Sequence, residues 1–263
     1  MSAQATLASW VNRLGAQPLV GKALRRAANL FPEGSIVTVR TGALAGLRWR
    51  PNHRYVNGYW VANYELPVQA ALARLLSPGC VFYDVGANAG FFSMQAAKAV
   101  GSAGRVFSFE PLPENGSSVL EQVELNAMSQ VRLVNLAIGR APGTATFSFS
   151  AGGNAVAHLG AARTPTELSM EVGVTSLDDF TRNNPAPDVL KMDVEGAEVD
   201  VLEGAERLLA ERHPDWLIEL HGEDLGARCV EILSSHGYRF ERLDGSVPAE
   251  PGREPHLVAR VAR

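Results

Sequence analysis

The chain has 263 residues, 46% of them hydrophobic, with 24 Lys and Arg against 28 Asp and Glu and a formal charge of −4. Such a chain can bury a substantial core, and it lacks the basic excess that broad capture of nucleic acid requires. Its two cysteines, Cys80 and Cys229, are far apart, which excludes a disulfide framework and a cysteine metal site and fits a reducing, cytoplasmic setting.

No apolar run reaches the roughly 18 residues of a membrane-spanning helix, and the first residues lack the continuous apolar centre of a signal peptide. Residues 1–32 carry Arg13, Lys22, Arg25 and Arg26 and no acid, and Leu7, Trp10, Val11 and Leu14 recur at helical spacing. We expect a helical lead-in that packs on the domain or on a second copy, so a homodimer is compatible with it. Peripheral contact with an anionic membrane is the weaker alternative. "SIVTVRTGALAGLRWRP" reads as two short strands joined around Gly42 to Gly46. "ELPVQAALARLLSPG" reads as a helix with Pro67 in its first turn.

From Cys80 onward strands and helices alternate. "CVFYDV", "GRVFSFE", "VRLVNLAI", "DVLKMDV" and "DWLIELH" are the five main strands, and "FFSMQAAKAV" and the segment from Pro113 are the first two helices between them. "GTATFSFS" is an extra antiparallel strand, and residues 151–170 read as a loop. "EGAEVDVLEGAERLLAER" reads as one long helix and "LGARCVEILSSHG" as the last. "YRFERL" and "HLVARVAR" close the chain as a strand pair. The expected fold is α/β: a doubly wound, seven-stranded, mostly parallel sheet whose last strand pair is antiparallel. Residues 1–61 would be an extension of helix and hairpin, and residues 62–263 one domain.

Ligands of such sheets bind outside the carboxyl ends of the strands. Those ends carry Asp84 and Gly86, then Glu110, then Ala137, then Asp193 and Glu195, then Glu219 and His221. In "VFYDVGANAGFF" two glycines four apart let something approach the backbone closely. Glu110, 24 residues beyond Gly86, can accept both hydroxyls of an adenosine ribose. A dinucleotide loop needs G-x-G-x-x-G to hold a pyrophosphate. Here Ala87, Asn88 and Ala89 separate Gly86 from Gly90, and Asp84 precedes them. An acid there repels a pyrophosphate and favours a ligand bearing ammonium or sulfonium, as S-adenosylmethionine does. Asp178 and Asp179 are expected as turn or cap residues.

"DVGANAGFFS", "FEP", "LAIG", "TSLDDF", "LKMDVEGAEVDVLEGA" and "LIELH", in that order, resemble the FkbM-family methyltransferases, class I enzymes that use S-adenosylmethionine and mostly methylate hydroxyl oxygens of sugars or natural products. The resemblance covers about residues 62–222. It implies that Asp84, Gly86, Asn88 and Gly90 surround the methionine moiety of the cofactor, that Ala87, Phe91 and Phe92 also contact the cofactor, and that Glu110 holds the ribose beside Pro111. Asn135, Ala137 and Ile138 would line the adenine, Asp193 would contact the cofactor or orient a base, and "NYELP" implies the same reach for Glu65.

The expected reaction is transfer of a methyl group to a hydroxyl of a sugar, glycolipid or secondary metabolite, so the partner is a small-molecule or glycan acceptor and not nucleic acid. His221, Asp193 or Glu195 would take the acceptor's proton. Transfer to nitrogen or another acceptor, or a non-catalytic protein that binds S-adenosylmethionine, is the runner-up. No resident metal is expected; Asp193, Glu219 and His221 offer ligands for a divalent ion as a less favoured variant. A nicotinamide enzyme would need the missing middle glycine. A nucleobase methyltransferase would need an Asn/Asp-Pro-Pro-aromatic signature where "MDVEG" stands.

Overall fold

A computed structural model describes residues 32, 34–51, 59–60, 64–150, 157–211 and 214–261. The basic lead-in helix expected in residues 1–31 lies outside the described residues, as do residues 151–156 of the expected loop. The hairpin is present as β1 (Val37–Thr38) and β2 (Arg48–Trp49), paired antiparallel. The backbone amide of Arg48 donates to Asn126 and that of Arg50 to Gln122, which fastens the hairpin to a helix of the main body.

That body is a seven-stranded sheet. Its strands are β3 (Val81–Val85), β4 (Arg105–Phe109), β5 (Val131–Val134), β10 (Val189–Met192), β11 (Asp215–Glu219), β12 (Tyr238–Glu241) and β13 (His256–Val261). They lie in the order β12-β13-β11-β10-β3-β4-β5. All neighbours are parallel except that β13 runs antiparallel to both β11 and β12. The order reverses between β3 and β10, which opens a crevice at their carboxyl ends.

Helices α1 (Leu66–Leu75), α2 (Phe91–Val100) and α3 (Pro113–Leu125) precede or link the first strands. The short α4 (Leu177–Phe180), α5 (Glu198–Glu203) and α6 (Glu206–Glu211) and the longer α7 (Glu223–Ser235) serve the rest. Alternation along the strands sends Phe82, Val106, Val189 and Leu217 into the core under α1 and α2. Tyr83, Phe107, Leu190 and Trp216 enter the core on the opposite face.

Three expectations give way here. "VRLVNLAI" is not one strand: β5 stops at Val134, and Ala137–Ile138 form β6, which belongs to a second sheet. That sheet, in the order β6-β9-β7-β8, contains β7 (Gly143–Ser150), β8 (Ala157–Leu159) and β9 (Glu167–Thr175). Thus a good part of the expected loop 151–170 is strand, because β7 and β9 pair along eight positions from Gly143↔Val174 to Ser150↔Glu167. The expected long helix after "MDVEG" is two helices. The break falls at Gly204, where a Cβ would stand 2.2 Å from the Gly139 carbonyl oxygen, so only glycine fits there. Both Asp178 oxygens then cap α6, accepting from the amides of Arg207 and Leu208 at 2.8 and 2.9 Å. The reading of Asp178 as a cap residue holds.

Candidate active site

A cavity of about 310 Å³ opens at the crevice between β3 and β10, near the lower end of the size range of small-molecule sites. Gly86, Asn88, Glu110 and Pro111 form one side, and Leu136, Ala137 and Ile138 continue it. Glu65, Lys191, Asp193, Glu195 and Glu219 form the polar floor. Tyr59, Tyr64, Phe91 and Phe92 make an aromatic wall, while Phe147, Ala157 and Leu159 reach in from the second sheet.

The glycines serve the fold here more than a ligand. Gly86 has φ +83°, and a Cβ there would stand 1.9 Å from the Asp193 carbonyl oxygen. What approaches this backbone is therefore the end of β10. Gly90, at φ +85°, opens α2 and packs on Val119. Between them Asn88 has φ 49°, and its amide donates to Oε2 of Glu110 at 2.8 Å. The Leu112 amide donates to Oε1 at 2.9 Å. The Glu110 carboxylate thus ties the glycine loop to the turn after β4. Burial lifts its pKa to about 7, against the Leu112 and Asn88 amides and the Asn115 side chain that pull it down. Asn135 donates to the Glu110 carbonyl at 3.3 Å and braces it from behind.

Asp84 does not line the cavity among the described residues. It points under α2, is 1% exposed, and accepts from Ser93 at 2.6 Å, with Ser108 donating to Ser93 at 2.7 Å. In the sheet register Lys191 is its neighbour. Lys191 is also buried; its ammonium lies 3.0 Å from Oδ2 of Asp193 and 4.9 Å from the centre of the Phe92 ring. Burial opposes its charge, but Asp193, Asp84 and Glu65 together hold its pKa above the ordinary lysine value. Burial pushes the Asp84 carboxyl up, and Lys191 and Ser93 pull it back. Replacing Lys191 with methionine leaves these acids without their counter-charge and is expected to cost about 3–5 kcal/mol, read as a lower urea midpoint. An unchanged midpoint would remove Lys191 from this role.

At the other end of the floor stands His221. Its Nδ1 lies 2.6 Å from Oε1 of the fully buried Glu198. Its Nε2 faces Oε2 of Glu195 at 3.4 Å, Oε1 of Glu219 at 3.8 Å and Oδ1 of Asp193 at 3.9 Å. The hydrogen bond to Glu198 raises the imidazole pKa to about 9, against the cost of burial. Glu195 has φ 53°, and burial lifts its carboxyl while His221 pulls it down. Arg163, from the second sheet's loop, donates to the Glu195 carbonyl at 3.2 Å.

Of the residues expected at the site, the cavity wall contains Glu65, Gly86, Asn88, Phe91, Phe92, Glu110, Pro111, Ala137, Ile138, Asp193 and Glu195. Asp84, Ala87, Gly90, Asn135 and His221 stand behind it. Lys191 was missed, although a lysine inside the apolar strand run "VLKM" was a visible signal. Tyr59 and the second-sheet residues Phe147 and Leu159 were also missed; only the fold brings them here. No helix among the described residues is long and apolar enough to cross a membrane.

A model of the methyltransferase FkbM domain matches residues 84–240. The chain is similar to the hexuronic acid methyltransferase AglP of Haloferax volcanii, 30% identical over 126 residues, which cover 47% of this chain and 49% of that protein. It thus spans about half the length of the curated relative it matches. Among solved structures it is similar to a methyltransferase FkbM from Methylobacillus flagellatus KT, with 19% identity, 80% of this chain and 55% of the other covered, and a TM-score of 0.48. An S-adenosylmethionine-dependent O-methyltransferase from Thermotoga maritima gives 14% identity, 88% and 79% coverage and a TM-score of 0.46. The strand order described above is that of the class I methyltransferase fold. With the domain match running over more than half of its length, from Asp84 into β12, the chain belongs to the family of FkbM-domain methyltransferases.

Proposed function

We propose that the chain transfers a methyl group from S-adenosylmethionine to a hydroxyl oxygen of a sugar, glycolipid or secondary metabolite. The observation that carries this reading is a cavity rich in hydrogen-bond acceptors. Oε2 of Glu65 and Oδ1 of Asn88, both buried, have no partner among the described residues, and the Glu110 carboxylate stands on the same wall. Unmatched buried acceptors call for a ligand that brings donors. S-adenosylmethionine brings an ammonium and two ribose hydroxyls, so the residues fit it. When bound, it supplies an electrophilic methyl carbon attached to sulfonium.

On this reading Glu110 and Asn88 hold the ribose end, Ala137 and Ile138 the base, and Glu65 the ammonium. The acceptor enters over the floor. A hydroxyl is a weak nucleophile until its proton leaves, and Glu195, on the cavity wall with its carboxyl lifted by burial, takes that proton. His221 lies behind it. Positioning supplies much of the remaining acceleration. The similarity to a hexuronic acid methyltransferase supports a sugar acceptor.

The test has two parts. Calorimetry should give one S-adenosylhomocysteine bound per chain. Labelled S-adenosylmethionine with fractionated extracts should put methyl into a glycan, lipid or small-molecule fraction as an alkali-stable ether. No binding sinks the donor assignment; label in alkali-labile ester or in amine sinks the hydroxyl.

A further inference from the structure

We propose that Asp193, Glu219 and His221 form a binding site for one divalent cation of the manganese–magnesium class. Each of the three has one donor atom turned outward to a neighbour and another turned inward. Oδ2 of Asp193 is held by Lys191 at 3.0 Å, and Oδ1 faces His221. Oε2 of Glu219 lies 3.4 Å from Nε2 of His256, and Oε1 faces His221. Nδ1 of His221 is held by Glu198 at 2.6 Å, and Nε2, which releases its proton to solvent when it takes an ion, faces the two acids. Outer partners that fix the non-ligating atom of each ligand are how proteins build metal sites.

The spacing fits an ion as well. The inward atoms of Asp193, Glu219 and His221 all lie within 4.8 Å of one another. Nε2 of His221 stands 3.8 and 3.9 Å from the two oxygens, too far for hydrogen bonds. Ligands about 2.1–2.4 Å from one ion stand roughly 3.0–3.9 Å apart for angles between right and tetrahedral. Glu198 stands behind the cluster. It is fully buried, its Oε1 accepts from the Gly196 amide at 3.0 Å and lies against the His221 ring, and its Oε2 has no partner among the described residues. A buried carboxylate with one oxygen unmatched draws positive charge to its surroundings. Two carboxylates with one imidazole suit manganese or magnesium better than a soft metal.

The site stands on its own geometry; its part in catalysis rests on the methyl-transfer reading. Glu195, 3.4 Å from the same Nε2, is not one of the three ligands and remains the proton acceptor beside them. A cation here would hold the acceptor's oxygen and lower its pKa as a Lewis acid.

The test uses the full chain with neither donor nor acceptor, titrated with Mn2+ while the electron paramagnetic resonance signal of the free ion is followed. One Mn2+ per chain is expected. Glu219→Gln and Asp193→Asn should each weaken binding at least tenfold, and Glu198→Gln, which removes only an outer partner, by about 10–100-fold. Glu223→Gln, an exposed acid paired with Arg253, should change nothing. Far-UV circular dichroism and S-adenosylhomocysteine binding, measured on each variant, report folding and the donor site separately. Wild-type chain that takes up no stoichiometric Mn2+, or equal affinity in the three ligand-shell variants, overturns the cation site. Mn2+ uptake without S-adenosylhomocysteine binding overturns the donor reading and leaves the cation site standing.

Discussion

Glu110→Gln is expected to weaken S-adenosylhomocysteine binding by about 100-fold or more. The carboxylate accepts from the amides of Asn88 and Leu112 and from the Asn115 side chain and keeps room for the ribose hydroxyls. Each charge-assisted hydrogen bond is worth about 1.5–3 kcal/mol, and every 1.4 kcal/mol is tenfold in affinity. Glutamine also turns an NH2 toward one of the two amides, which loosens the glycine loop. The wild-type protein should show a matching pH dependence. Burial raises the folded-state pKa of Glu110 to about 7, above the unfolded value of about 4.3. The stability it contributes is therefore fully present below that unfolded value and is lost as pH rises through about 7. A ligand that donates two hydrogen bonds selects the ionised form. Affinity should therefore rise with pH, by up to tenfold per unit below about 7, and level off above it. Calorimetry near pH 6 in buffers of different ionisation enthalpy should show proton release on binding. Affinity that is flat with pH, without proton release, would take Glu110 off the ribose.

Glu195→Gln should lower kcat by about 10²–10⁴-fold, the usual worth of a general base, with S-adenosylhomocysteine affinity changed by less than about threefold. The amide keeps the size and the left-handed backbone but cannot take a proton. The acidic limb of the pH–rate profile, measured on the acceptor fraction that the wild-type protein labels, should vanish with it. Turnover at the wild-type rate would move the base to Asp193. A loss of donor affinity as large as the loss of kcat would make Glu195 a binding residue instead.

The order of strands and helices was legible because apolar runs of strand length alternate with helical spacing from Cys80 onward. Glu110 was legible because an acid ends the second strand at the right distance from the glycine loop. The direction of Asp84 was not drawn from the sequence, although strand alternation contains it: with Val85 turned to one face, Asp84 must face α2. The second sheet was hidden because Gly152, Gly153 and the polar residues around Pro165 look like turn composition, while the pairing that makes β8 and β9 strands comes from β7, distant in sequence. The break at Gly204 was hidden because helical spacing continues across it, and the Gly139 carbonyl that packs there is far along the chain. His221 and Glu198 meet only when β11 and α5 lie side by side, so neither predicts the other. Lys191 was legible as a charge between Leu190 and Met192 and was passed over.

The β7–β9 ladder makes the wall of the cavity a matter of parity. Phe147 faces the cavity, while its neighbour Ser148 turns away and is occupied by Ser169 and the Gly160 carbonyl. Strand faces alternate residue by residue, so deleting one residue between Gly143 and Thr146 would bring a hydroxyl row where a phenyl ring now stands. The glycine loop and Glu110, carried by β3 and β4, lie outside this sheet, whereas Ala137 and Ile138 on β6 share it. A single-codon deletion could thus exchange an apolar acceptor wall for a polar one in one evolutionary step.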